Sequence, residues 1–395
     1  MNSKLILVIN CGSSSLKFAL YSIDHQLLAE GLAESLNSVN AKLHIKLLNT
    51  EIKSTLDTKD HQHAIDLLII ELQKTFDLKL DLVGIGHRVV HGGESFKQSV
   101  IITQEVISEI KNCIPLAPLH NPANLLGINI LATLFPKLNQ VAVFDTSFHQ
   151  TMPEHAYTYA IPYKFYKDDG VRRYGFHGTS HRFVTLQASK LLNKHVDTLN
   201  LVTAHLGNGA SVAAIANGAS VDTSMGMTPL EGLVMGTRSG DIDPGLFDYL
   251  ISKGLSPEDI SRTLNKKSGL LGISGISNDM RTLCEQAAQG HKLSQLAIDI
   301  FCFRLAKYIA AMMVSLTHID ALVFTGGIGE NSPLVREKTT DHLLILGFTL
   351  DKNLNSLNCS NKVINDADSK NIIVIPTDEE LMIVNDTLEL IPGTF

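Results

Sequence analysis

The sequence predicts an α/β chain made of two related halves. Near the start, the apolar run LILVI at 5–9 enters the small-residue turn Asn10-Cys11-Gly12-Ser13-Ser14-Ser15, and a second strand follows at 16–21. About half a chain later the pattern returns: an apolar strand at 201–204, the turn Gly207-Asn208-Gly209, and a strand at 211–215. Asn-Gly tolerates the positive φ angles of a tight hairpin, and small side chains leave backbone N–H groups open to phosphate oxygens. The length of 395 residues suits two domains. Two such halves would form a cleft with a phosphate loop on each wall. The expected division is 1–150, joined by a terminal helix at 381–395, and 151–380.

Composition narrows the classes. Apolar residues make up 44% of the chain, enough for sizeable cores. A formal charge of −7 with no long basic run argues against nucleic acid as a partner. The five cysteines are Cys11, Cys113, Cys284, Cys302 and Cys359, with no CxxC pair, so neither a disulfide framework nor a zinc site is expected. The N-terminal apolar run is too short for a signal peptide, and polar residues break every longer one. These features predict a soluble, cytoplasmic chain with no membrane partner.

In chain order, a further strand is expected at 43–52 and a helix at 61–76, where apolar residues recur at helical spacing. A short strand at 81–85 leads into GHRVVHGG at 86–93, whose glycines on both sides of Arg88 predict a close-approach loop. Thr103 caps a helix at 103–113, and PLAPLHNP at 115–122 reads as an ordered turn before a helix at 123–135. The buried strand 140–144 ends at Asp145, where ligands gather in open α/β sheets; capping the next segment is an equally suitable role. Residues 153–162 read as a loop and a domain junction.

RYGFHGTS at 173–180 places His177 in a flexible glycine-flanked frame, with Thr179 or Ser180 capping a helix to 192. The Gly- and Ser-rich stretch 225–245 holds Arg238 and is long enough to be functional. Ser256-Pro257-Glu258-Asp259 starts a helix, 266–272 reads as a glycine-bearing loop, and Asn278-Asp279-Met280-Arg281 opens a helix to 288. Residues 293–316 form a long helix for a core or a subunit interface. A strand at 321–324 feeds Gly326-Gly327-Ile328-Gly329-Glu330-Asn331, a turn that lets a phosphorylated or planar group approach the backbone. After a last strand at 372–375, Thr377 and Glu380 have capping-box spacing, which leaves Glu379 to point toward a metal-bound water.

This inventory holds phosphate-friendly backbones, two glycine-flanked arginines (Arg88, Arg238), Lys17, a strand-end Asp and a spare Glu. It suits phosphoryl transfer, which needs positioning, a cation and positive charge more than covalent help. There is no GxxxxGK[ST], no GxGxxG after the first strand, no HExxH and no Ser/His/Asp spacing.

Ten blocks in order carry a resemblance over the whole chain: NCGSSSLKF (10–18), GHRVVHGG (86–93), PLAPLHNP (115–122), FDTSFHQTMP (144–153), RYGFHGTSH (173–181), HLGNGAS (205–211), MGTRSGDIDPG (235–245), KKSGLLGISGISNDMR (266–281), GGIGENS (326–332) and EEL (379–381). The chain closely resembles the acetate kinases of the sugar kinase, heat-shock chaperone and actin superfamily. That resemblance implies a duplicated RNase H-like (actin-like ATPase) fold, two domains around an active-site cleft, and a homodimer. It implies reversible transfer of the ATP γ-phosphoryl group to acetate, giving acetyl phosphate and ADP. Asn10 and Glu379 would hold Mg²⁺ (or Mn²⁺), largely through water. Lys17 and His205, Leu206, Gly207, Asn208 and Gly209 would bind the ATP phosphates. Asp279, Met280 and Arg281, with Gly327, Ile328, Gly329, Glu330 and Asn331, would surround the nucleoside. Arg88 and Arg238 would clamp the carboxylate and the phosphoryl group, and His177 would add a hydrogen bond to the transition state. Asp145 is the family's base or orienting acid. Val90, Leu119, Phe176 and Pro229 would line the methyl pocket. This chain has Asp378 where the family commonly has Asn, and Met227 where it commonly has Phe. The alternatives are a propionate or butyrate kinase of the same fold and a non-catalytic ATP-driven binder.

Overall fold

The computed structural model describes residues 4–47, 50–56, 60–357 and 361–393. It divides into two compact units: Met1–Gln150 with Asp378–Phe395, and Thr151–Thr377.

The first unit holds strands β1 (Leu5–Cys11), β2 (Ser15–Ser22), β3 (Leu27–Glu34), β4 (Lys42–Leu47), β5 (Thr50–Thr55), β6 (Leu82–Val89), β7 (Val100–Ile101) and β8 (Gln140–Phe144). They form one sheet in the order β5-β4-β3-β2-β1-β6-β8-β7. β1 to β5 pair as an antiparallel meander, while β1, β6 and β8 run parallel. The strand expected at 43–52 is two strands, β4 and β5, and positions 48 and 49 between them lie outside the described residues.

The second unit repeats this plan. Its strands are β9 (Leu201–Leu206), β10 (Ala210–Ala216), β11 (Ala219–Thr223), β12 (Ala321–Thr325), β13 (Lys362–Val363) and β14 (Asn371–Val374), in the order β11-β10-β9-β12-β14-β13. Three antiparallel strands, β11-β10-β9, continue into the parallel strands β12 and β14, as β3-β2-β1 continue into β6 and β8. This is a duplicated actin-like α/β fold, and the halves correspond strand for strand through these five positions.

Period-2 alternation explains the layering of the first unit. Leu5, Leu7 and Ile9 pack on one face with Ile65 and Leu68 of the helix His61–Gln73. Ile6, Val8, Ala19, Tyr21, Val141 and Val143 pack on the other against Ile383, Val384 and Ile391 at the chain's end. Asn10, Lys17, Arg88 and Asp145 continue the second alternation, on the face covered by the helix Glu379–Leu390.

That covering helix corrects one expectation. Gly86 to Val89 are strand, not loop. Gly84 and Gly86 lack side chains because the helix lies on them: a Cβ at Gly86 would stand 2.3 Å from Ile383 Cγ2 and 2.6 Å from Thr387 Oγ1. Other expectations also shift. Asn121–Leu134 is helical with a proline in its first turn, so the 115–122 turn ends earlier, and Ile114–Leu116 forms a 3₁₀ turn. The expected loop 266–272 runs into a short helix, Gly269–Ser274, and Glu154–Tyr157 is a helical turn inside the expected loop 153–162. The Ser256 cap, accepting from Asp259 N, is as expected. Cys11, Cys113, Cys284 and Cys302 are free thiols, and position 359 lies outside the described residues. Among the described residues no helix is long and apolar enough to cross a membrane.

His87 and His91 sit fully inside the first unit, and burial pushes both imidazoles down to about 4. The folded protein therefore holds them neutral, while the unfolded chain binds protons near pH 6.5. Their contribution is complete above that value and is lost as pH falls toward 4, by roughly 2 kcal/mol each at pH 5. The urea midpoint should drop between pH 7 and pH 5, and His87→Gln should flatten that drop.

Candidate active site

The carboxyl ends of β1, β6 and β8 bring Asn10, Arg88 and Asp145 to one edge of the first sheet, where ligands collect in such folds. Asn10 pairs directly with Lys17 across the β1–β2 hairpin. The turn between them is closed by Gly12 N donating to Ser15 O. Arg88 donates from Nε to Asp145 Oδ1 at 2.9 Å and from Nη2 to Asp145 Oδ2 at 2.7 Å. Asp145 is buried, and its side chain caps nothing; both oxygens are taken by Arg88. Burial alone would weaken Arg88's hold on its proton, but Asp145 more than offsets this and keeps the guanidinium charged. Glu379 Oε2 lies 3.9 Å from Arg88 Nε. Burial pushes the Glu379 carboxyl up from the usual range, while Arg88 and Lys17 pull it down. Glu379 gets there because its helix starts at Asp378, whose carboxylate accepts from Leu381 N. The expected Thr377–Glu380 capping box does not form. Thr377 instead bonds through its hydroxyl to Ser180 Oγ and donates N–H to Glu330 Oε1.

Val90 is buried on the strand edge beside Arg88, where its N–H donates to Asn124 Oδ1, and Asn124 also donates to Cys11 O. These bonds tie the loop after β6 to the end of β1. Leu119 is 58% exposed.

In the second unit the β9–β10 turn Gly207-Asn208-Gly209 is the centre. A Cβ at Gly209 would lie 3.3 Å from His177 Nε2 and 3.4 Å from Arg238 Nη1, so both side chains face this turn. Asn208 fixes it from two sides: its carbonyl accepts from Gly236 N at 2.9 Å, and its Oδ1 accepts from Asn278 Nδ2 at 2.9 Å. Arg238 Nη1 also donates to Pro229 O at 3.3 Å. His177 has φ 57°, a strained left-handed conformation, at the start of the helix Gly178–Leu192. The predicted Thr179 or Ser180 cap is absent, since both residues lie inside the helix. His205 stacks on His177 with centroids 4.3 Å apart. Phe176 is buried.

Beside the turn lies a cleft of about 700 Å³ lined by Asn208, Asn278, Asp279, Met280, Arg281, Gly327, Ile328, Asn331 and their neighbours. Met280, Ile328, Pro333 and Leu334 give it apolar walls suited to a flat heterocycle. Asp279 caps the helix Met280–Ala288 and pairs with the Arg281 guanidinium. Gly329 and Glu330 are not among the lining residues. Glu330 Oε1 instead accepts from Gly326 N and Thr377 N, which locks the glycine turn between β12 and the chain after β14.

Arg336 was not singled out in the sequence. It is fully buried and has no carboxylate partner among the described residues. Burial pushes its pKa down to about 10. It donates to the carbonyls of Gly329, Glu330 and Asn355 and to Asn355 Oδ1, at 2.7–2.9 Å. The guanidinium thus grips the end of the turn that walls the cleft. Arg336→Met removes these donors at similar length. The expected result is a KM for the ligand of this cleft raised on the order of tenfold with the KM for the second substrate unchanged, since only the wall of one cleft relaxes. Initial-rate kinetics with each substrate varied will check it.

The chain matches the model of the acetokinase family over residues 5–385. It is 53% identical over 394 residues to an acetate kinase of Chromobacterium violaceum, covering 99% of each chain. A solved structure of a propionate kinase from Francisella tularensis superposes with a TM-score of 0.94 at 48% identity, over 98% of this chain and 100% of that one. The acetate kinase of Porphyromonas gingivalis superposes equally well, with a TM-score of 0.94 at 44% identity over 99% and 100% of the two chains.

Proposed function

The chain belongs to the acetokinase family, and from that premise we propose how its residues divide the work of moving a phosphoryl group between ATP and acetate. The enzyme is an ATP:acetate phosphotransferase, giving acetyl phosphate and ADP reversibly. The observation that best supports the division is the Arg88 guanidinium, half-buried and held at two points by the buried Asp145. Its Nη1 has no partner among the described residues and remains for an anionic substrate.

Acetate is already ionised at pH 7, so attack on the γ-phosphorus needs no base. Asp145 is therefore an orienting group: its oxygens aim Arg88. In direct in-line transfer the charge that spreads over the moving PO₃ is met by Arg88, Arg238 and the His177 N–H. Lys17 holds the ATP phosphates through its charge, and the segment His205 to Gly209 through the small residues of its turn. Asp279, Met280, Arg281 and Gly327 to Asn331 hold the nucleoside, with Glu330 acting through the turn it locks. Asn10 and Glu379 offer the oxygen donors a hard cation takes, and they lie on one face of the first sheet. They would hold Mg²⁺ or Mn²⁺, which supplies positive charge to the phosphate oxygens when bound. Val90, Leu119, Phe176 and Pro229 are the proposed contacts of the acetate methyl group. A homodimer is supported by Leu293, Leu296 and Phe303, 48%, 46% and 52% exposed along the helix Lys292–Met312. A cytoplasmic setting fits a consumer or producer of ATP.

A second reading, propionate as the preferred acid, is favoured by the likeness to the Francisella enzyme. One methylene in an apolar pocket is worth about 1–3 kcal/mol. Trapping the acyl phosphate with hydroxylamine in the presence of C2, C3 and C4 acids separates the readings. The bulk of Val90 should make kcat/KM highest for acetate, roughly tenfold above propionate. A preference for propionate would establish the second reading, and nucleotide binding without acyl phosphate from any acid would leave only a binder.

A further inference from the structure

We infer that Thr203, His181 and Ser211 form a buried hydrogen-bond relay that sets the tautomer of His177, making its Nε2 the proton-bearing nitrogen. The residues are consecutive partners. Thr203 Oγ1 is 2.7 Å from His181 Nδ1, His181 Nε2 is 2.8 Å from Ser211 Oγ, and Ser211 Oγ is 2.9 Å from His177 Nδ1. Thr203, His181 and Ser211 are all completely buried.

Proton counting gives the relay its direction. Ser211 has one hydroxyl proton and two histidine neighbours, so it donates to one ring and accepts from the other. The two rings therefore have linked tautomers. Thr203 decides between the two arrangements. Among the described residues its hydroxyl has no side-chain or carbonyl partner other than His181. A buried O–H left without an acceptor is costly, so Thr203 donates to His181 Nδ1. Neutral His181 then carries its proton on Nε2 and donates to Ser211. Ser211 donates to His177 Nδ1, and the remaining proton of neutral His177 sits on Nε2. Charging His181 instead would place an imidazolium in a fully buried site, which desolvation opposes.

The consequence lies at the turn. His177 Nε2 is the edge facing Gly209, beside the Arg238 guanidinium. A donor is needed there if a phosphoryl oxygen gains charge, whereas the other tautomer would present a lone pair to an anion. His181, Ser211 and Thr203 are positioning residues: they act through His177. This rests on the reading of His177 as a contact of the transferred group.

The test uses full-length protein labelled with ¹⁵N-histidine. Long-range ¹H–¹⁵N correlation spectra at pH 8, with the His177 signals assigned by their loss in His177→Gln, report which ring nitrogen is protonated. The expected result is Nε2–H at His177 in the parent and in Thr203→Ser, and a mixture of tautomers in Thr203→Val, which keeps the shape and removes the hydroxyl. In the same variants kcat should fall roughly tenfold or more for Thr203→Val and recover in Thr203→Ser, with the KM for ATP within about twofold. A proton on Nδ1 of His177 in the parent, or a Thr203→Val protein with unchanged tautomer and unchanged kcat, overturns the relay. If instead His177→Gln keeps full kcat, the reading of His177 as a substrate contact fails, while the spectra still decide the relay.

Discussion

Arg88→Gln is expected to lower kcat by on the order of 10³-fold or more, the scale of arginines that stabilise a phosphoryl group in flight. Two effects act together. The substitution removes positive charge from the reacting oxygens, and it leaves the buried Asp145 carboxylate with no counter-ion. Breaking a buried pair by removing one partner costs about 3–5 kcal/mol in folded proteins. Stability is therefore measured alongside turnover. Arg88→Lys should not rescue, because an ammonium cannot make the two parallel bonds to Asp145. Asp145→Asn separates orientation from base catalysis. With both carboxylate oxygens engaged by Arg88, the variant should lose turnover yet keep the shape of its pH–rate profile. Loss of one ionisation from that profile would identify Asp145 as a base. A kcat for Arg88→Gln within tenfold of the parent would contradict the proposed role of Arg88.

Gly86→Val is expected to be the most damaging substitution away from the reacting groups. The added Cβ would stand 2.3 Å from Ile383 Cγ2, a stiff β-branched atom with no free rotamer to retreat into. Overpacking of this kind costs about 1–3 kcal/mol when the neighbours can yield and more when they cannot. The upper end or beyond is expected here. Gly84→Ala is the graded control, since its nearest neighbours, Ile391 Cδ1 and Thr387 Cγ2, stand at 3.1 Å. Urea unfolding should rank them parent, Gly84→Ala, Gly86→Val. Because the displaced helix carries Glu379, the proposed cation ligand, the KM for Mg²⁺ should rise in Gly86→Val as well. Equal stability for all three proteins would show that the helix does not depend on these glycines.

How much of this was legible in the sequence depends on how local the cause is. Asn208-Gly209 and Gly12 announce their hairpins because a turn's small residues are its own, although none of the three adopts the positive φ expected of a tight turn. The strand 140–144 and the Ser256 cap are correct for the same reason. The glycines before Arg88 misled because their reason lies almost 300 positions away, in Ile383 and Thr387. Thr377 and Glu380 had capping-box spacing, but Ser180 and Glu330 take the Thr377 side chain and N–H, so Asp378 caps instead. The site was named largely through resemblance. Period-2 alternation places Asn10, Lys17, Arg88 and Asp145 on one sheet face without it, but nothing local marks Arg336, His181 or Ser211. Arg336 reads as one more surface arginine until the carbonyls of Gly329 and Glu330 are seen to surround it.

The helix Glu379–Leu390 supplies the missing layer of a sheet whose strands were translated hundreds of codons before it. A ribosome-bound chain must therefore keep Ile6, Val8, Val141 and Val143 uncovered through most of its synthesis. Thr151–Thr377 is already a continuous stretch and waits for nothing downstream. Maturation of the Arg88 centre thus waits for the segment that starts at Asp378, and a nascent chain stalled just short of residue 379 should recruit chaperones at its amino-terminal part rather than at its middle.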